Sequence, residues 1–169
     1  TAAVAVASGL SADDIKRGLE AFRGAKRRME YRGALSGAEL YEDYGHHPTE
    51  IRTTLEGARG LAEGGRLVCA FQPHTYTRTK AFFKEFAEAL SLADHVVLAD
   101  IYAARETDTL GVSSQLLAEE LKALGADCFY FPSFEEIQEF LKSHCIHGDL
   151  LITMGAGDVV NIGENLLSE

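Results

Sequence analysis

A chain of 169 residues, 46% hydrophobic and 25% charged, suits one globular domain with a fragment of a neighbour attached. Its 26 acidic residues outnumber 16 basic ones, and the pI is near 5.0, which argues against partners such as nucleic acid or an anionic membrane surface. No apolar run approaches the roughly 20 residues of a membrane span. Residues 1–10 lack the basic start of a secretory signal.

In chain order, residues 1–8 form an Ala-rich apolar run, and Ser11-Ala12-Asp13-Asp14 reads as the cap of a short helix carrying Ile15, Leu19 and Phe22. Gly24 closes it. A helical piece this short is marginal alone, so residues 1–24 are expected to be the tail of a preceding domain. Residues 29–35 and 38–44 flank Ser36-Gly37 and predict a hairpin. From Pro48, the apolar residues Ile51, Leu55, Ala58 and Leu61 follow a helical period that ends at Gly64-Gly65.

The pattern then repeats. Leu67–Phe71 is a continuous apolar strand followed by one helix bearing Phe82, Phe83, Phe86 and Leu90. Residues 96–99 precede a helix with Leu117, Leu121 and Leu124. Residues 128–131 precede a helix capped by Ser133 and Glu136, and residues 150–153 lead into a last helix with Val159, Ile162 and Leu166. Strands apolar on both faces, alternating with amphipathic helices, predict an α/β, three-layer, Rossmann-like domain. Its sheet should have about six strands, mostly parallel, with one antiparallel edge strand from the hairpin.

In such a sheet ligands collect beyond the carboxyl ends of the strands. The polar motifs fall there: Asp43-Tyr44-Gly45-His46-His47-Pro48-Thr49-Glu50, Gln72-Pro73-His74-Thr75-Tyr76-Thr77-Arg78, the irregular segment 100–108, and Gly155-Ala156-Gly157. Asp43 suits a metal ligand, a general base, a hydroxyl acceptor or an Asx turn. His46 and His47 fit turn residues or substrate contacts. His74 and Arg78, four apart, can form a cation pair for a carboxylate. Lys26-Arg27-Arg28 is a basic cluster that suits either a solvated linker or a phosphate contact. Gly155-Ala156-Gly157 fails as a dinucleotide fingerprint, because Val160 occupies the third glycine slot. A tight loop with N–H groups facing the cleft is the better reading. Cys69 and Cys128 lie in apolar runs, and Cys145 between His144 and His147 has too irregular a spacing for a metal site. No metal ligand is assigned, and the cysteine usage fits a reducing cytoplasm.

The motifs at 43–50, 72–78 and 154–158 closely resemble those of the Mur ligases, which build the peptide of bacterial cell wall. The resemblance covers nearly the whole chain and implies that residues 25–169 are the C-terminal domain of such a ligase, with 1–24 the end of its central ATPase domain. It implies ATP-dependent joining of L-alanine to UDP-N-acetylmuramate through an acyl phosphate. It also implies that Asp43, Tyr44 and Arg28 (with Arg27 a close second) contact ATP, and that Arg28, His46 and His47 serve catalysis. His74, Arg78, Gly155 and Ala156 would hold L-alanine. The glycine-rich phosphate loop of the family is absent here, since no glycine precedes a lysine. ATP and its Mg2+ would therefore be held mainly by the central domain, the UDP-sugar by the N-terminal one, and this chain alone should be inactive. A ligase that recycles a tripeptide onto the same sugar, and a stand-alone nucleotide-binding module, are the alternatives.

Overall fold

The computed structural model describes residues 2–22, 24–62 and 64–168. Thr1 and Arg23, which belong to the expected tail, lie outside the described residues.

Two short helices, α1 (Ala2–Ala7) and α2 (Ala12–Ala21), come first. Ser11 caps α2 by accepting from Asp14 N–H at 3.1 Å. Neither helix has a buried residue, and Val4, Val6, Leu10, Leu19 and Phe22 all stand exposed. The apolar period of this segment is therefore real, but no other element among the described residues buries it.

The hairpin follows as β1 (Glu30–Leu35) and β2 (Ala38–Asp43). Its two-residue turn places Ser36 at φ 52° and Gly37 at φ 86°, the left-handed pair that matches the twist of antiparallel strands. Then come α3 (Pro48–Leu61), β3 (Leu67–Phe71), α4 (Tyr76–Ala81), α5 (Phe83–Leu90), β4 (His95–Leu98), α6 (Ser114–Ala123), β5 (Asp127–Tyr130), α7 (Phe134–His144), β6 (Leu150–Met154) and α8 (Val160–Ser168). The strands form one six-stranded sheet ordered β1-β2-β6-β3-β4-β5. Only the β1–β2 pair is antiparallel, which gives the expected layers and the expected antiparallel edge.

Alternation along the strands sorts the core into two faces. Leu67, Cys69 and Phe71 of β3, with Leu150, Ile152 and Met154 of β6, pack against Ile51 and Leu55 of α3, Phe86 and Leu90 of α5, and Leu117 and Leu121 of α6. Val68, Ala70, Val97 and Leu151 face Ile137 and Leu141 of α7 and Ile162 of α8. Phe86 is fully buried, and truncating such a side chain costs about 3–5 kcal/mol.

The structure differs from the periodicity in two places. The single helix expected after β3 is two, broken at Phe82 (φ −120°, ψ 28°), whose ring instead meets the His47 ring edge-on at 4.7 Å. Leu61 and Leu124 keep helical spacing yet are 54% and 51% exposed; each falls at the very end of its helix. Among the described residues no helix is long and apolar enough to cross a membrane.

Candidate functional site

The last strand, β6, lies between β2 and β3, so chain order and spatial order part company there. Open α/β sheets place ligands at such a switch. Register brings three carboxyl ends level: Met154 pairs with Asp43 on one side and with Phe71 on the other. The segments leaving these ends carry most of the expected site residues.

On the β2 side, Asp43 is buried. One carboxylate oxygen accepts from Met29 N–H at 3.0 Å and the other from Gly45 N–H at 2.7 Å. Its Asx-turn reading is therefore realised, with one backbone N–H on each carboxylate oxygen. The Gly45 side of this turn has no room for a side chain: a Cβ there would stand 2.8 Å from Asp43 Oδ1. Tyr44 N–H donates to Arg27 C=O at 2.7 Å, and the Tyr44 ring lies under the Arg27 guanidinium at 4.8 Å and the Arg28 guanidinium at 5.8 Å.

The two arginines differ in what they are free to do. Arg27, at φ 55°, pairs with the buried Glu42 carboxylate and donates to Gly155 C=O at 3.1 Å. Arg28 pairs with Glu50 at 3.5 Å besides its place over Tyr44, and its side chain is 48% exposed. Arg27 is thus held inside the domain while Arg28 faces outward.

His47 caps α3. Its Nδ1 accepts from Thr49 N–H at 3.3 Å, and Glu50 accepts from His47 N–H at 3.2 Å in return. With its ring on Phe82, His47 shapes the loop. His46 Nδ1 lies 3.0 Å from Tyr44 C=O, and its ring sits 6.0 Å from that of His74. Glu50 accepts from both His46 and His47 N–H groups, which with the nearby His46 and Arg28 holds its carboxyl low against the upward push of partial burial.

On the β3 side, Gln72 is buried and its side-chain carbonyl accepts from Val159 N–H at 3.2 Å. His74 forms a bridge with Tyr102 and stacks on its ring at 5.4 Å. Arg78 Nη1 lies 3.2 Å from His74 Nδ1, so the expected proximity is present. Burial, then the Arg78 and His46 charges, push the His74 pKa down, so the permanent cation of the pair is Arg78 and protonation of His74 is disfavoured beside it. Between them Thr75, a β-branched residue at φ 67°, holds an unfavourable backbone conformation at the rim.

The irregular segment after β4 contributes more than its sequence suggests. Glu106 accepts from Thr77 N–H at 3.0 Å and from the Thr77 hydroxyl, which fastens the first turn of α4 and lowers the Glu106 pKa. Neither Glu106 nor Tyr102 has a periodic or spacing signal. After β6, Gly155 has φ 151°, a region L-residues avoid, and a Cβ there would lie 2.9 Å from Gln72 C=O. At Gly157 it would lie 2.3 Å from Gln72 Oε1. Gly155 is buried and Ala156 half-buried. The glycines let this loop lie flat against Gln72 and Tyr102.

The rim therefore presents Arg28, Tyr44, His46, His74, Arg78 and the 155–157 loop on one edge, a constellation fit for anions and for an amino acid. Among the described residues no group of three or more His, Cys, Asp or Glu is arranged to hold a metal ion.

Residues 27–157 match the sequence profile of the domain described as "Mur ligase, glutamate ligase domain". The chain is 55% identical over 170 residues to a UDP-N-acetylmuramate–L-alanine ligase of Agathobacter rectalis, covering 99% of this chain and 37% of that protein. It superimposes on the crystal structure of the UDP-N-acetylmuramate–alanine ligase of Thermotoga maritima with a TM-score of 0.79 at 25% identity, covering 98% of this chain and 35% of that one. A murein peptide ligase of Psychrobacter arcticus gives a TM-score of 0.73 at 26% identity over 90% of this chain and 31% of its own. The chain thus spans little more than a third of the relatives it matches.

Proposed function

The chain belongs to the Mur ligase family, and on that premise we propose that it is the C-terminal domain of a ligase joining L-alanine to UDP-N-acetylmuramate at the expense of ATP. The identity of 55% to an alanine-adding relative across 99% of the chain carries this reading. In it, residues 25–169 close over an ATP-binding central domain. Residues 1–24 belong with that domain, which agrees with the uncovered apolar face of α1 and α2.

Arg28 is the outward cation that meets the phosphates, and Tyr44 lies beside it. Asp43 fixes their turn, and its carboxylate keeps lone pairs for the ribose hydroxyls. Arg78, with His74, receives the alanine carboxylate by charge-assisted bonds, against the wall made by Gly155 and Ala156. His47 sets the α3 terminus and His46 faces the amine. ATP phosphorylates the muramyl carboxylate, and the alanine nitrogen displaces phosphate from the acyl phosphate to form the amide. Closure keeps water from the acyl phosphate. The phosphate loop and Mg2+ ligands belong to the remainder of the longer protein, so this chain alone is inactive.

The tripeptide-recycling reading is the nearer competitor, since the murein peptide ligase shares the fold. ADP release by the full-length protein with UDP-N-acetylmuramate decides between them. We expect L-alanine to support turnover and the tripeptide not to. Turnover with the tripeptide alone would replace the alanine reading, and silence with both would leave a nucleotide-binding module.

A further inference from the structure

Arg28 pairs with Glu50 at 3.5 Å and is 48% exposed, a pairing too weak to fix its direction. Its two chain neighbours are far more constrained. Arg27 has φ 55° and Met29 φ 44°. Neither is glycine, so each left-handed conformation is unfavourable and persists only where surrounding contacts over-determine it.

Those contacts come from the open end of the β1–β2 hairpin. Arg27 C=O accepts from Tyr44 N–H at 2.7 Å, and Met29 N–H donates to Asp43 Oδ2 at 3.0 Å. The backbone is thereby clamped on both sides of Arg28. Arg27 N–H also donates to Glu30 Oε2 at 2.7 Å. The Arg27 side chain adds three contacts: Nε to the buried Glu42 carboxylate, Nη2 to Gly155 C=O at 3.1 Å, and the guanidinium over the Tyr44 ring at 4.8 Å. Gly155 N–H in turn donates to Asp43 C=O at 3.1 Å, so both polar backbone atoms of Gly155 are held.

We propose that Arg27 is a positioning residue: it aims Arg28 and ties that aim to the 155–157 loop, so that the phosphate-facing arginine and the wall of the amino-acid site form one unit. This rests on the ligase reading above. Arg27 acts through Arg28 and does not touch ATP, because its Nε and one Nη already serve Glu42 and Gly155.

The role needs a guanidinium. Its fork serves two acceptors at once while its flat face covers a ring. A lysine ammonium is a compact point charge that the Glu42 carboxylate would keep, which releases Gly155 and Tyr44. Arg32 also stands 3.5 Å from Glu42, so Arg27→Lys leaves that buried carboxylate paired and should keep the fold.

Two measurements test this. In the full-length ligase, a double-mutant cycle separates action through Arg28 from action beside it. Arg27→Lys should lower kcat about 10-fold in the wild-type background, and less than about 2-fold where Arg28 is already alanine. Equal losses in both backgrounds would overturn the proposal, since Arg27 would then touch ATP itself or serve the fold alone. In this chain, amide NMR reads the tie to the loop without any need for ligation. Arg27→Lys should shift the amides of residues 155–157 together with those of Arg28 and Tyr44, whereas Arg28→Ala should leave 155–157 in place. Unmoved amides at 155–157 in Arg27→Lys would overturn the tie. If the wild type fails to ligate alanine, the ligase reading falls. If it ligates alanine and the losses are equal in both backgrounds, only this inference falls.

Discussion

The two ends of the sheet carry similar side chains and use them oppositely. At the amino end Arg66 grips the buried Asp149 through two bonds of 3.0 and 2.6 Å, donates to His144 C=O at 2.8 Å and reaches His95 at 3.3 Å. His95 in turn meets Asp127 at 2.7 Å. That arginine turns its bonding capacity inward. At the carboxyl end Arg27 is similarly committed, but Arg28 and the His74–Arg78 pair stand at the rim. Charge alone does not mark a site. Charge whose donors and acceptors still face outward does.

The comparison can be broken by substitution. Arg66→Ala leaves the Asp149 carboxylate with only its Ile146 N–H among the described partners, so chemical denaturation of the chain should show a loss of about 2 kcal/mol. A loss under about 0.5 kcal/mol would mean the amino-end network is not structural. Smaller effects should separate the adjacent arginines. Arg27→Ala should cost about 1–2 kcal/mol, because Glu42 is buried and Arg32, 3.5 Å away, only partly replaces it. Arg28→Ala should cost a few tenths, about what an exposed pair contributes. Equal costs would remove the distinction between inward and outward arginine.

The smallest effect is in pH. The folded pKa of His74 lies below its ordinary value, so between the two the unfolded chain binds more protons. Stability should therefore rise with pH through that window and fall on acidification below about 6.5. Asp149, Asp94 and Glu50 have lowered pKa values, so their contribution is present above about 4 and lost below it. His74→Gln should flatten the thermal-melting profile near pH 6 and leave the acid limb in place. An unchanged slope near pH 6 would show that His74 is not held neutral.

The sheet was legible because its strands are continuous apolar runs, set apart by helices whose apolar residues recur every three to four positions. The rim was legible because a strand end is where polar residues interrupt those runs. What stayed hidden depends on contacts distant in sequence. The inward turn of Asp43 needs Met29 N–H, and the choice between Arg27 and Arg28 depends on Glu42 and on Gly155, 128 positions away. The break at Phe82 comes with its contact to the His47 ring, distant in sequence. The roles of Tyr102 and Glu106 come from a segment with no period at all. His74 shows the limit most clearly: its spacing from Arg78 was readable, but the lowering of its pKa follows from burial and from a guanidinium at its nitrogen.

The most direct test of the outward rim is a pair of Michaelis constants in the full-length protein, for alanine and for ATP, in Arg78→Ala and Arg66→Ala below the melting temperature of both. We predict that Arg78→Ala raises the alanine KM about 30-fold, the worth of one charged hydrogen-bonding partner, and changes the ATP KM little. Arg66→Ala should leave both constants near those of the wild type. An unchanged alanine KM in Arg78→Ala, or equal shifts in the two variants, would contradict the assignment of the amino-acid site to the carboxyl end of the sheet.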